Sequence, residues 1–166
     1  MTMTHDNLKI AFAGESQANR KYLAFAKKAE QDGFSQVGRL FRAAAEAETI
    51  HALAHLFNMG GIKSTLENLQ EAVGGETYES TQMYPPMVEA AKKENHKAKT
   101  MLGYALEAEK IHANLYQMAL DAVKAGKDLS QMEIYICPNC GDLEFGFPNE
   151  ACHICGAAPA KYKLVA

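Results

Sequence analysis

Residues 46–52 read EAETIHA and residues 107–113 read EAEKIHA, so six of seven positions recur at an offset of 61 residues. At the same offset, Gly14-Glu15 recurs as Gly75-Glu76. Each half of this region therefore supplies one lone Glu followed by one Glu-x-x-His motif. A repeat of this kind indicates two helical hairpins related by duplication, which together make a four-helix bundle.

Residues 1–126 favour helix almost throughout, because Ala, Glu, Lys, Leu and Met dominate their composition. Ser64-x-x-Glu67 resembles a capping box that opens the third helix. Pro85-Pro86 falls inside that helix, so we expect a kink or a short break there. Glycines and short polar stretches set the other boundaries, and the four predicted helices run over 5–32, 34–59, 64–94 and 96–126.

Helical spacing places the acids and histidines of the repeat on stripes that are otherwise apolar. If the four stripes share one core, at least four carboxylates converge there, and crowded buried carboxylates are very costly. No Lys or Arg lies on the stripes at that level, so bound metal ions are the expected counter-charge. The polar members of the stripes are Glu15, Glu48, His51, Glu76, Glu109 and His112.

Oxygen-rich ligation with one imidazole per metal suits iron or manganese better than copper or structural zinc. The Glu and His of a single Glu-x-x-His motif on a helix are usually both solvated. Here the motif occurs twice, each time flanked by apolar residues, and this favours metal ligands. Glu79 follows Glu76 by three residues, whereas its repeat partner is Ala18, so the two metal positions are not equivalent. The alternative for Glu79 is a solvated helix residue. His55 shares a face with His51 and is interpreted as a packed histidine.

All four cysteines lie within CPNCG at 137–141 and CHICG at 152–156, with 11 residues between the two Cys-x-x-Cys pairs. Four thiolates in this arrangement make a tetrahedral sulfur site. The ligands alone leave one-iron and structural-zinc sites equally open. Ile134-Tyr135-Ile136 is strand-like, and a segment of about 30 residues normally needs a metal to stay folded.

The bulk composition excludes several classes of protein. A net charge of −3 gives no reason to expect nucleic acid as a partner. No apolar run approaches the roughly 20 residues of a membrane span, so no membrane association is expected. The first residues show no basic segment followed by an apolar one, so no secretory signal is expected and a cytoplasmic location is the default.

The combined motifs resemble the rubrerythrin family, in which a ferritin-like di-iron domain is joined to a rubredoxin-like domain. The resemblance implies a mainly α fold, with a ferritin-like four-helix bundle over 1–130 and a small C-terminal rubredoxin-like Fe(Cys)4 domain over 131–166. The 11-residue gap is shorter than in free-standing rubredoxins, and His153 stands where proline is common. The resemblance is carried by GESQA at 14–18, Glu48-x-x-His51, GETYE at 75–79, MYP at 83–85, Glu109-x-x-His112 and the four cysteines.

The resemblance also implies roles for the site residues. Glu48 and Glu109 would bridge two irons, and Glu79 and His51 would alternate on one of them as its oxidation state changes. The remaining implied ligands of the iron pair are Glu15, Glu76 and His112, and the tyrosines that flank it are Tyr22 and Tyr84. One further iron, with zinc as the alternative, would be bound by Cys137, Cys140, Cys152 and Cys155.

The implied activity is a peroxidase that reduces hydrogen peroxide to water in oxidative-stress defence, with electrons relayed through the four-cysteine iron. No dinucleotide-binding fingerprint is present, so NAD(P)H would act through a separate reductase or rubredoxin. A homodimer or larger homo-oligomer is expected. Two alternative functions stay open at this point. The first is a ferritin-like iron oxidase or iron store, although the four cysteines near the C-terminus argue against it. The second is a zinc-ribbon module joined to a helical bundle whose metals are structural.

Overall fold

The computed structural model describes residues 2–165, and most of them are helical. The four predicted helices are found, the third of them interrupted. The α-helices are α1 (Met3–Gln31), α2 (Ser35–Asn58), α3 (Thr65–Tyr78), α4 (Tyr84–Lys93) and α5 (Lys99–Lys124), and the strands are β1 (Ile134–Ile136), β2 (Leu143–Phe145) and β3 (Lys163–Val165). Within residues 2–165, no helix combines the length and apolar character that crossing a membrane requires.

The chain divides into two compact units, Met1–Lys63 and Ser64–Ala166. The first unit is the hairpin of α1 and α2. Gly33, with a φ of 86°, allows the reversal between the two helices. Small side chains such as Ala26 and Ala45 are buried in the hairpin and let the helices approach closely. The buried Asn19 amide donates to the Ala45 carbonyl at 2.7 Å, which ties α1 to α2.

The helical part of the second unit begins at the predicted capping box, in which Ser64 and Glu67 cap each other's backbone. The predicted break lies just before the prolines, where Glu79–Met83 form a π-helical segment between α3 and α4. Pro85 and Pro86 lie in the first turn of α4, where a missing N–H costs little. Both prolines therefore lie where an α-helix tolerates them.

The C-terminal part of the second unit contains a three-stranded antiparallel sheet with strand order β2-β1-β3. The predicted strand at residues 134–136 is β1, in which Tyr135 pairs with Glu144 on one side and Leu164 on the other. Its small core consists largely of cysteines and Tyr162. A region with so little apolar core depends on a metal for stability. The predicted domain boundary near residue 130 stays a prediction.

Candidate metal centres

The first unit brings Glu15 of α1 together with Glu48 and His51 of α2. One ligand atom from each lies within 4.8 Å of the others. Glu48 and His51 are three residues apart on one helix face, and Glu48 Oε2 is 3.0 Å from His51 Nδ1. The Glu48 side chain is 17% exposed and that of His51 is 55% exposed. The three sequence-predicted residues of this half therefore form a solvent-accessible cluster of two carboxylates and one imidazole.

The second unit repeats this arrangement with Glu76 of α3 and with Glu109 and His112 of α5. Glu109 Oε2 is 2.7 Å from His112 Nδ1, and Glu76 Oε2 is 3.9 Å from the same nitrogen. All three side chains are largely buried, with 16–22% exposure. The duplicated sequence motif thus becomes a duplicated triad of potential metal ligands.

Burial raises the pKa of Glu76 to about 7, and the hydrogen bond and negative charge of Glu109 act in the same direction. Without a metal, Glu76 therefore holds a proton up to about neutral pH. A bound cation would replace that proton and satisfy the carboxylates and the imidazole together. The donor set fits iron or manganese, as the sequence predicts.

Glu79 begins the π-helical segment and lies outside the 4.8 Å triad of its unit. It is nevertheless near enough for its charge to act on Tyr84. Burial raises the pKa of the Tyr84 hydroxyl, and the charges of Glu109, Glu79 and Glu76 add to this effect. Tyr84 is therefore held protonated beside three carboxylates. In the other unit, Tyr22 packs against Phe41 with ring centroids 6.0 Å apart.

The four cysteines are free thiols whose sulfur atoms lie within 4.8 Å of one another. Cys137 Sγ and Cys155 Sγ are 3.6 Å apart, and Cys140 Sγ and Cys152 Sγ are 3.5 Å apart. These separations exceed a disulfide bond and approach the edge of about 3.8 Å expected for a tetrahedron with metal–sulfur bonds of about 2.3 Å. The four sulfurs therefore fit a single four-coordinate metal.

The two cysteine turns, residues 137–142 and 152–157, have the same backbone geometry. The Cys137 N–H donates to the Asp142 carbonyl, and the Cys152 N–H donates to the Ala157 carbonyl, each at 2.8 Å. Gly141 has a φ of 89°, and its counterpart Gly156 has a φ of 73°, a region that favours glycine. The turns thereby point both pairs of sulfurs toward one centre.

Burial raises the pKa of the Cys140 and Cys152 thiols. Burial also acts to raise the pKa of Cys155, but hydrogen bonds from the Ala157 backbone, the Asn139 side chain and neighbouring thiols lower it to about 7. Since thiolates are the metal-binding form, Cys155 is more readily available as a ligand at neutral pH than Cys140 or Cys152.

The Glu76–Glu109–His112 triad and the cysteine turns meet within the second unit. His112 Nε2 is 2.9 Å from the carbonyl oxygen of Gly141, which directly follows Cys140. A ring N–H at Nε2 therefore donates to the first cysteine turn while Nδ1 faces Glu109 and Glu76. No sequence pattern indicates this contact, because it joins residues 29 positions apart.

Asp142, whose side chain is fully buried, was not predicted from the sequence. Its Oδ2 accepts a 2.6 Å hydrogen bond from the Tyr162 hydroxyl, and it lies 3.4 Å from Cys152 Sγ. A signal was available in the sequence, since Asp142 occupies the position in the first turn that Ala157 occupies in the second. His55 belongs to neither triad.

A mainly helical chain with duplicated Glu/His triads and a four-cysteine centre defines a carboxylate–histidine di-iron protein with a rubredoxin-like iron site. The rubrerythrin family model matches residues 6–120. Rubrerythrin-2 of Clostridium acetobutylicum is 40% identical over 177 residues, covering 97% of this chain and 96% of the relative. Nigerythrin of Nitratidesulfovibrio vulgaris is 38% identical, covering 92% of this chain and 81% of the relative.

The solved all-ferrous, fully reduced state of nigerythrin is similar to this structure, with a TM-score of 0.58 and 32% identity. The similarity covers 99% of this chain and 88% of that one. The chain belongs to the rubrerythrin family, a family of di-iron redox proteins associated with oxidative stress. The predicted fold class is confirmed, as are the predicted cofactors: a di-iron carboxylate–histidine site and one metal, iron with zinc possible, in a four-cysteine site.

Proposed function

We propose that this protein is a non-haem di-iron peroxidase, which reduces hydrogen peroxide to water with electrons relayed through its Fe(Cys)4 centre. The observation that carries this proposal is the 2.9 Å contact between His112 Nε2 and the Gly141 carbonyl. One hydrogen bond and a short covalent path then separate a ligand candidate of the di-iron site from Cys140. A dedicated electron path of this kind suits repeated redox turnover better than iron storage.

His112 is well placed both to bind a metal and to link the di-iron site to the first cysteine turn. Its Nδ1 faces the carboxylates of Glu109 and Glu76, where a metal would take the nitrogen lone pair. Its Nε2 keeps the proton that it donates to the Gly141 carbonyl, which fixes the tautomer and the ring orientation. The same hydrogen bond would hold the first cysteine turn against α5.

The ligand assignment is likewise part of the proposal. We assign terminal ligation to Glu15, Glu76 and His112, bridging to Glu48 and Glu109, and exchange at one metal to Glu79 and His51. Bound iron supplies the Lewis acidity and the electrons for cleaving the O–O bond. The two triads, each found within its own unit, provide the oxygen and nitrogen donors that such a pair requires.

Tyr84 is assigned a proton-holding role. Reduction of one peroxide to two waters consumes two electrons and two protons. Burial, together with the charges of Glu109, Glu79 and Glu76, raises the pKa of Tyr84, so the hydroxyl stays protonated at neutral pH and can donate a hydrogen bond to a substrate oxygen. Tyr22, which lies in the other triad's unit, is assigned to the flank of the site by the family resemblance.

We also propose an external electron donor, either a reductase fed by NAD(P)H or a rubredoxin, and a homodimer or larger homo-oligomer. Large apolar side chains are exposed on the α1–α2 hairpin, and surfaces of this kind are usually covered by a partner. They include Ile10, Leu40, Ile50 and Phe57, each at least 62% exposed. Sedimentation of the iron-loaded protein tests the oligomer, and a monomer at micromolar concentration would contradict it.

The function is tested by comparing oxidants. The iron-loaded protein is chemically reduced without oxygen and then mixed with equal concentrations of hydrogen peroxide or dioxygen, while reoxidation is followed by absorption. Faster reoxidation by peroxide is expected. Faster reaction with dioxygen, with added ferrous iron retained as ferric mineral, would instead support the ferritin-like alternative. A colourless, zinc-loaded protein from native purification would support the zinc-ribbon alternative.

A further inference from the structure

We propose that Asn19 is a positioning residue of the di-iron site, because its hydrogen bonds fix the register of α1 against α2 and so align Glu15 with Glu48. The proposal rests on the proposed function, in which both carboxylates bind iron. Asn19 lies about one helical turn after Glu15 on α1. Its partners on α2, Ala45 and Thr49, lie on either side of Glu48 in the sequence. The contact between the helices therefore occurs at the level of the two ligand candidates.

Three polar groups make this contact. The Asn19 side chain is only 9% exposed, and its Nδ2 donates to the Ala45 carbonyl at 2.7 Å and to the Thr49 hydroxyl at 2.8 Å. The Thr49 hydroxyl in turn donates to the same Ala45 carbonyl at 3.2 Å. Asn19, Ala45 and Thr49 thus form a closed set of hydrogen bonds, which we call the register lock.

The rest of the hairpin interface specifies its register weakly. Small apolar side chains pack almost as well after a shift along the helix, whereas a buried polar group finds its partners in only one alignment. A shift by one turn would move Glu15 by about 5.4 Å relative to Glu48 and break up their triad. The other buried residues of α1 and α2 are Ala26, Ala29, Gly38, Ala45 and Ala52.

Asn19 is an expensive way to join two helices. Its Oδ1 is buried and has no hydrogen-bond partner among residues 2–165, and burying an unpaired polar atom costs free energy. An apolar side chain would avoid this cost, because an apolar residue leaves no polar atom unpaired. Alignment of the helices therefore explains the amide better than stability does.

The second half of the repeat has no such lock. At the offset of 61 residues, Ser80 stands for Asn19 and Lys110 stands for Thr49. The Ser80 hydroxyl donates to the Glu76 carbonyl of its own segment at 2.8 Å, and Lys110 pairs with an exposed glutamate at 2.7 Å. Thr49 and Lys110 are the one difference between the two seven-residue repeats. A Glu-x-x-His helix therefore does not itself require the lock.

The lock holds the carboxylates of the first triad and leaves its imidazole free. The Glu48 side chain is 17% exposed, whereas that of His51 is 55% exposed and no part of the lock contacts it. In the proposed exchange of His51 for Glu79, one ligand moves while the others stay in place. A fixed spacing between Glu15 and Glu48 confines the movement to the exchanging ligand.

The test removes the lock from full-length protein whose sulfur site is filled. Asn19→Leu deletes the amide, and Thr49→Val deletes the hydroxyl with little change of shape. Fe²⁺ alone is added without oxygen, and bound iron is counted after equilibrium dialysis. Both variants should hold the iron pair about tenfold more weakly than wild type. The reduction potential of the pair should rise, because ferric ions gain more than ferrous ions from closely held carboxylates. Thr49→Ser keeps the hydroxyl and should behave as wild type does.

Ala26→Gly is the matched control, because Ala26 is buried in the same hairpin about two turns beyond Asn19. It should lower thermal stability but leave iron affinity and potential unchanged. Glu48→Ala separates the lock from the ligand assignment. If Glu48→Ala loses the iron pair while Asn19→Leu and Thr49→Val keep it, the lock is wrong. If Glu48→Ala also keeps the pair, both the lock and the assignment are wrong. Iron loss that follows thermal stability in every variant, Ala26→Gly included, would also overturn the lock.

Discussion

Metal-free protein should lose stability as Glu76 ionises, because burial and Glu109 favour its neutral form. The folded-state pKa of Glu76 is about 7, against an ordinary value of 4.5. A carboxyl whose pKa is raised by folding contributes stability that is fully present below the unfolded pKa and is lost as the pH rises through the folded pKa. The loss therefore falls between pH 4.5 and about pH 7. A shift of this size corresponds to about 3 kcal/mol as an upper bound, because the Glu76 side chain is partly exposed to solvent.

The assay is urea unfolding of metal-free protein at pH 5, 6, 7 and 8, comparing wild type with Glu76→Gln. The amide is neutral at every pH, so the variant should gain stability relative to wild type as the pH rises, by about 1–3 kcal/mol at pH 8. Metal binding displaces the Glu76 proton, so wild-type affinity should also fall about tenfold per pH unit below pH 7. A stability difference between the two proteins that does not change with pH would show that folding does not raise the pKa of Glu76.

Three further predictions concern the ligands. Cys140→Ser should abolish steady-state turnover with an external donor. In stopped-flow assays it should still show one rapid peroxide reduction by the chemically reduced di-iron site. Unimpaired steady-state turnover would show that the four-cysteine iron is not an electron relay. Metal analysis should show that Glu109→Ala loses most of its di-iron content. Glu107→Ala should keep it, because Glu107 is exposed and pairs with Lys110. Two tightly held irons in Glu109→Ala would show that Glu109 is not a ligand. Glu79→Ala should raise the di-iron reduction potential and slow reoxidation by peroxide, because a carboxylate favours the ferric ion. His51→Ala should lower that potential. Potential shifts in the same direction in both variants would contradict ligand exchange.

The sequence was most informative where a pattern repeats. The duplicated Glu-x-x-His motifs predicted the Glu–His pair of each triad, because i and i+3 residues share a helix face whatever the tertiary packing. The repeat of Glu15 as Glu76 predicted the third member. The two Cys-x-x-Cys turns predicted the sulfur cluster because two such pairs are the usual ligand spacing of a four-cysteine metal site. Ser64-x-x-Glu67 predicted a helix start because capping depends only on local backbone geometry.

The features that the sequence did not reveal depend on contacts between distant residues. Pro85 and Pro86 suggested a break at their own positions, but the irregular π-helical turn lies at Glu79–Met83, before them. The buried Asp142 accepts a hydrogen bond from Tyr162, which comes from the last part of the chain. The contact of His112 with Gly141 likewise depends on how the cysteine turns pack against α5.

In the proposed function, peroxide draws electrons from the sulfur-site iron through the di-iron site. The most direct measurement mixes fully reduced protein with limiting hydrogen peroxide without oxygen, and follows the visible absorption of the ferric four-sulfur centre. We predict that this absorption appears within the first turnover in wild type, after di-iron oxidation, and in proportion to the peroxide added. A sulfur site that stays ferrous while peroxide is consumed would show that no electrons pass from it to the di-iron site.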